Sequence, residues 1–131
     1  MSMYQVRRPA RSVHVPVRDV HYHLQQWSDG EARPPLVLLH GWMDVAASWQ
    51  FLVDALDADF LAGRTVLAPD WRGFGHSRGP ACDHYAFADY LGDLDALLDH
   101  FCGDRSVDLV GHSMGGNVAM MYAGVRPERV R

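Results

Sequence analysis

The sequence has no lysine, no isoleucine, only two cysteines, and no apolar run that could span a bilayer. Without lysine there is no P-loop, because that motif ends on a lysine that reaches the phosphates. All 12 basic side chains are arginine, and the formal net charge of −4 offers no basic face to a nucleic acid. Met1 to Arg11 carries arginines with no apolar stretch behind them, so it is not a secretory signal. Cys82 and Cys102 lack any ligand-type spacing, so free thiols in a reduced, cytoplasmic setting are expected, with no metal and no cofactor. The absent lysine and isoleucine read as coding bias rather than chemistry.

What remains is ordinary for a globular chain. The 131 residues are 48% hydrophobic and 21% charged, enough to bury one core, so residues 1–131 are taken as part of a single domain. Val13, Val15 and Val17 alternate with polar neighbours, and Val20, Tyr22 and Leu24 do so again after Arg18-Asp19. That pattern predicts an antiparallel hairpin, with Pro16 restricting its first strand to a sheet edge. Ser28 to Pro35 is rich in turn formers and reads as a loop.

Leu36–Leu39 is a continuous apolar run, as in a parallel strand covered on both faces. Trp49, Leu52, Val53, Leu56 and Phe60 follow at helical spacing, and Thr65–Ala68 is a second apolar run stopped by Pro69. Phe87, Leu91, Leu94, Leu98 and Phe101 predict another helix, with Asp89, Asp93, Asp95 and Asp99 towards solvent. A third run, Val107–Val110, leads to Met114–Val125, which is apolar almost all round and predicts a buried helix. A hairpin followed by alternating strands and helices predicts an α/β fold with a mostly parallel sheet. Gly73-Phe74-Gly75 has no third glycine where a dinucleotide fingerprint requires one.

The pattern G-x-S-x-G occurs twice, at Gly75–Gly79 around Ser77 and at Gly111–Gly115 around Ser113. Chance supplies on the order of 0.06 such matches in a chain of this composition, so context must choose between them. A nucleophile elbow needs a strand that ends at the serine and a helix that starts directly behind it. Ser113 has both, whereas Ser77 follows a strand already ended at Pro69 and precedes Pro80. Ser113 is therefore the candidate nucleophile.

Gly111-His112-Ser113-Met114-Gly115-Gly116 resembles the nucleophile motif of the α/β-hydrolase family. Leu39-His40-Gly41-Trp42 is similar to the family's oxyanion loop, Asp70 to Ser77 to its glycine-rich segment, and Arg126 to Val130 to the turn before its sixth strand. The motifs stand in family order across the whole chain and resemble most the esterase, haloperoxidase and serine-hydrolase-like branches. Epoxide hydrolases and haloalkane dehalogenases carry aspartate where Ser113 stands. A serine attacks acyl carbon, so the resemblance implies hydrolysis of a small-molecule ester or related acyl compound through an acyl-enzyme. It also implies that the backbone N–H groups of Trp42 and Met114 form the oxyanion hole. Haloperoxidase-like or carbon–carbon-bond hydrolase chemistry is the alternative on the same elbow.

The other polar residues are read more plainly. His21 and His23 share a strand face without a third ligand, and read as exposed strand histidines. His40 is expected to brace the loop it opens, and Asp70 and Arg72 to pin the glycine-rich segment, bonded to each other or to other groups. The family places its acid and its histidine after the nucleophile, but only Glu128 is acidic beyond Ser113 and no histidine follows. The expectation is an incomplete α/β-hydrolase fold, strands one to five in spatial order one, two, four, three, five, inactive alone. It would be a fragment of a normal enzyme, a non-catalytic binding or scaffold remnant, or half of a complex. Its fifth strand, left as an open edge, would favour self-association.

Overall fold

The computed structural model describes residues 2–131. β1 (Arg11–Val17) and β2 (Val20–Glu31) form the expected hairpin around Arg18-Asp19. Val15, Val17, Val20, Tyr22 and Leu24 all point into the core. Pro16 lies opposite His21, whose N–H donates to Arg78 O, away from β1. That pair carries no ladder bond, so the N–H that proline lacks is not missed.

β2 continues to Glu31, so the predicted loop at Ser28–Pro35 is shorter than its composition indicates. The turn formers sit in two register shifts against β4 (Arg64–Pro69) instead. Ser28 Oγ donates to Arg64 O, and the Gly30 N–H to Thr65 Oγ1, so side chains complete the interrupted ladder.

β3 (Leu36–Leu39) lies between β4 and β5 (Asp108–Gly111), parallel to both, in a sheet ordered β1-β2-β4-β3-β5. That is the order expected from the sequence. Strand period two divides the core between the two faces. Leu36 and Leu38 join Val53, Leu61 and Val66 on one side, and Val37 and Leu39 join Trp71, Leu94, Val118 and Tyr122 on the other. The first side is covered by α1 (Gln50–Ala55) and α2 (Ala58–Leu61), the second by α3 (Phe87–Cys102) and α4 (Met114–Val125).

The helical spacing from Trp49 to Phe60 is not one helix. A 3₁₀ turn (Ala46–Trp49) precedes α1, and extended backbone at Leu56 and Asp57 separates α1 from α2. The chain has to reverse into β4 by Arg64, and the break makes that reversal. Helix α4 is buried on only one face, through Met114, Gly115, Val118 and Tyr122, while Met120 and Val125 are exposed. Apolar composition all round did not mean burial all round, because one neighbouring layer covers one face. The edge of β5 is also less open than expected: Val107 N–H donates to Arg129 O and Arg131 N–H to Val107 O, in a parallel bridge to Val130.

Asp93 does not face solvent. It is fully buried on α3 and accepts from Arg72 Nε at 2.6 Å, Arg72 Nη2 at 2.8 Å, Tyr22 Oη at 2.6 Å and Arg18 Nη1 at 2.9 Å. Four donors on one carboxylate fasten α3 to the hairpin and to the segment after β4. Removing one member of a buried ion pair strands the other without compensation, which costs about 3–5 kcal/mol. Asp93→Ala should lower unfolding free energy by about that amount in a urea titration. A surface carboxylate would change it by less than about 0.5 kcal/mol.

Candidate active site

β5 ends at Gly111, and α4 starts at Met114, so His112 and Ser113 must turn the chain within two residues. The turn is possible only because strand and helix nearly touch. A Cβ at Gly115 would lie 2.1 Å from Leu39 O, and one at Gly111 would lie 2.4 Å from Gly115 O. Ser113 takes up the geometry with φ 53° and ψ −118°, in a region that side chains larger than hydrogen rarely enter. Its carbonyl accepts from Asn117 N–H, starting the helix, and its side chain makes no capping bond. Among the described residues, the Met114 N–H has no acceptor and no imidazole bonds to Ser113 Oγ. Ser113 is exposed, Met114 buried.

The loop after β3 comes to the same place. A Cβ at Gly41 would lie 3.1 Å from Ser113 Cβ, so the Gly41–Trp42 backbone stands against the serine. His40 fixes this loop from behind. Its Nε2 accepts from Trp71 N–H at 2.9 Å, which requires the ring proton on Nδ1, 2.8 Å from Gly41 O. Gly41 O is thereby drawn towards the buried ring, and the Trp42 N–H of the same trans peptide points the opposite way. The Trp42 ring is half exposed and meets Phe74 edge-on at 5.3 Å. Phe74 also meets His40 at 5.7 Å, tying the glycine-rich segment to the loop.

Asp70 and Arg72 do pin that segment, but not to each other. Asp70 accepts from Ala46 N–H at 2.7 Å, His76 N–H at 2.9 Å and His23 Nδ1 at 2.7 Å, while Arg72 turns to Asp93 and Asp19. A side chain at Gly75 would collide with Asp70, and its φ of +53° favours glycine. Ser77 is buried in the same knot, donating to Asp70 O at 2.6 Å and accepting from His23 N–H at 3.0 Å. The first G-x-S-x-G is thus structural, its hydroxyl already committed.

His23 is not an exposed strand histidine. The glycine-rich loop folds over it and leaves it 2% accessible, whereas His21 stays open. Only its alternation with Tyr22 was readable, and that places it off the main core without showing what covers it. His112 is exposed, and His84 pairs with Asp83 at the surface. Glu128 pairs with Arg126 in its turn. Among the described residues no group of three or more His, Cys, Asp or Glu is arranged to hold a metal ion, and no helix is long and apolar enough to cross a membrane.

A strained serine between a parallel strand and a close-packed helix, with a second backbone loop beside it, is the architecture of the α/β-hydrolase fold. The sequence profile of the alpha/beta hydrolase fold matches residues 34–131, and the chain belongs to that family. A serine hydrolase-like protein of Danio rerio is 35% identical over 126 residues, 95% of this chain and 37% of that protein. A non-heme chloroperoxidase of Kitasatospora aureofaciens is 40% identical over 100 residues, 76% of this chain and 34% of its own length. Among solved structures, an epoxide hydrolase from Vigna radiata superposes with a TM-score of 0.76 at 31% identity, covering 92% of this chain and 37% of that one. The chain therefore spans about a third of the length of the curated relatives it matches.

Two measurements test this construction. Gly115→Ala places a methyl group on the Leu39 carbonyl and should destabilise the chain by about 3 kcal/mol or more. Gly124→Ala, later in the same helix with nothing within 4 Å, should stabilise it by about 0.5–1 kcal/mol. The second measurement concerns His40, whose pKa burial pushes below the ordinary 6.5, against smaller upward pulls from its bond to Gly41 O and from Asp70 and Asp44. The unfolded chain then takes up this proton first, so the stabilisation is complete above pH 6.5 and is lost as pH falls. Unfolding free energy followed from about pH 8 to about pH 5 should fall less steeply in His40→Gln than in the parent.

Proposed function

We propose that Ser113 is the nucleophile of a hydrolase acting on carboxylic esters or related acyl compounds. The observation that carries this is the backbone of Ser113 at φ 53° between β5 and α4, with its hydroxyl exposed and uncapped. A side chain held there stands clear of both strand and helix, where an acyl carbon can reach it. Attack forms a tetrahedral intermediate whose oxygen is received by the N–H groups of Met114 and Trp42. Met114 supplies a free donor at a helix N-terminus, and the Gly41 peptide is turned so that the Trp42 N–H faces away from His40. Collapse expels the alcohol and leaves an acyl-serine, which water then hydrolyses.

The serine hydroxyl needs a base to lose its proton at neutral pH. No histidine of the described residues bonds to it, so the reading requires a histidine and an orienting carboxylate from further polypeptide, in the same chain or in another. The relatives are about three times as long, which accommodates such a stretch. A serine at this position favours acyl chemistry over epoxide opening, which proceeds through an aspartate ester.

The chloroperoxidase relative supports a second reading, in which peroxide replaces water at the acyl-serine and a peracid is released. The two are separated by assaying the chain together with the polypeptide that supplies the base, using p-nitrophenyl acetate with and without hydrogen peroxide and following peracid directly. Ester turnover should fall by about 10³-fold or more in Ser113→Ala and stay within about twofold in Trp42→Ala, which keeps the backbone donor. Retention of turnover in Ser113→Ala would remove the nucleophile from the proposal.

A further inference from the structure

At the opposite edge of the sheet from Ser113, a second serine meets a histidine and an aspartate. Ser12 Oγ on β1 is 3.1 Å from His23 Nε2, and His23 Nδ1 is 2.7 Å from Asp70 Oδ2. Hydrogen-bond logic places the Nδ1 proton. Asp70 accepts backbone N–H groups at both oxygens, so it takes the Nδ1 proton as an acceptor too. In the neutral ring, with Nδ1 protonated, Nε2 offers a lone pair that the Ser12 hydroxyl meets as donor. The order serine, Nε2, ring, Nδ1, carboxylate is the one that makes a serine nucleophilic.

The surroundings agree with that role. His23 and Asp70 are each 2% accessible, so the base is shielded and held, whereas Ser12 is exposed. The rings of His14 and His76 lie 4.9 and 5.1 Å from that of His23 and fix its plane, and His21 stacks on His14. The hairpin register supplies a donor for developing charge. His21 and His23 send their N–H groups away from β1, to Arg78 O and Ser77 Oγ, so Ser12 and His14 sit at non-bonded ladder positions. Their own N–H groups therefore point to the open edge of β1, beside the Ser12 hydroxyl.

We propose that Ser12, His23 and Asp70 form a second acyl-transfer site, taking small activated esters that reach an open sheet edge. Ser12 Oγ bonds to the acyl carbon while its proton passes to His23 Nε2. The bond from that carbon to the leaving oxygen breaks, and the departing alcohol takes the proton from His23. Water repeats the sequence in reverse, releasing the acid and restoring the serine. His23 is the base, and Asp70 is a positioning residue that acts through it. The site is independent of the reading of Ser113, and the position of a covalent label separates the two.

The test uses an alkyl fluorophosphonate on Ser113→Ala, with the adduct mapped by mass spectrometry. The Ser12 oxygen displaces fluoride from phosphorus, so the adduct marks the attacking residue. The expected result is an adduct on Ser12, formed about tenfold or more slowly in His23→Gln and absent from Ser12→Ala. Absence of label from Ser12, or equal labelling in a His23→Gln protein that melts as its parent does, overturns the proposal. Should His23→Gln fail to fold, Ser12→Cys decides. Beside His23 the introduced thiol should react with iodoacetamide at about pH 7 roughly tenfold faster than the exposed Cys82 of the same chain. Equal or slower reaction than Cys82 overturns it.

Discussion

The structure rests on the approach of α4 to the ends of β3 and β5, where backbone meets backbone with no side chain between. At Gly115 and Gly111 any carbon would fall within 2.4 Å of a carbonyl oxygen. That proximity leaves two residues to turn from strand to helix, and so forces Ser113 to a positive φ. The same proximity brings the Leu39 end of β3, and the Gly41–Trp42 backbone after it, against the serine. Hydroxyl, helix N-terminus and second loop are thus consequences of one packing distance. The strain at Ser113 persists because the strand ladder and the apolar face of α4 over-determine the turn.

Behind this contact the chain relies on buried polar groups rather than on more apolar area. His40 holds the loop after β3 through one protonation state, accepting at Nε2 and donating at Nδ1. Asp70 joins β2, the glycine-rich segment and the turn before α1, and Asp93 joins α3 to the hairpin and Arg72. Each has its polar side-chain atoms hydrogen-bonded, which is why each tolerates full burial. Such networks hold each segment in a single arrangement, and the candidate chemistry at both sheet edges depends on that. Asp70 takes part in both regions, through Ala46 on the side of the Ser113 loop and through His23 on the side of Ser12.

Much of this was legible in the residues. The apolar run Leu36–Leu39 matched β3 residue for residue, and the spacing of Phe87 to Phe101 gave α3 to within one residue. Strand order came with the family resemblance, and Ser113 was separable from Ser77 by what stands before and after each. The misreadings share a cause. Asp93 looked solvent-facing because aspartate on an amphipathic helix normally is, His23 looked exposed because it alternates with Tyr22, and Met120 and Val125 looked buried because they are apolar.

Sequence by itself determined the periods, the breaks and the elbow, since these depend on residues within a few positions of one another. Glycine at 111 and 115 already states that something approaches there, and a serine between strand and helix already states how it must turn. Only the tertiary structure decided the partners. Tyr22 meets Asp93 across 71 positions, and His23 meets Asp70 across 47. A buried polar group is stable only where its donors and acceptors are matched, and that matching is fixed by which surfaces come together, not by the order of residues along the chain.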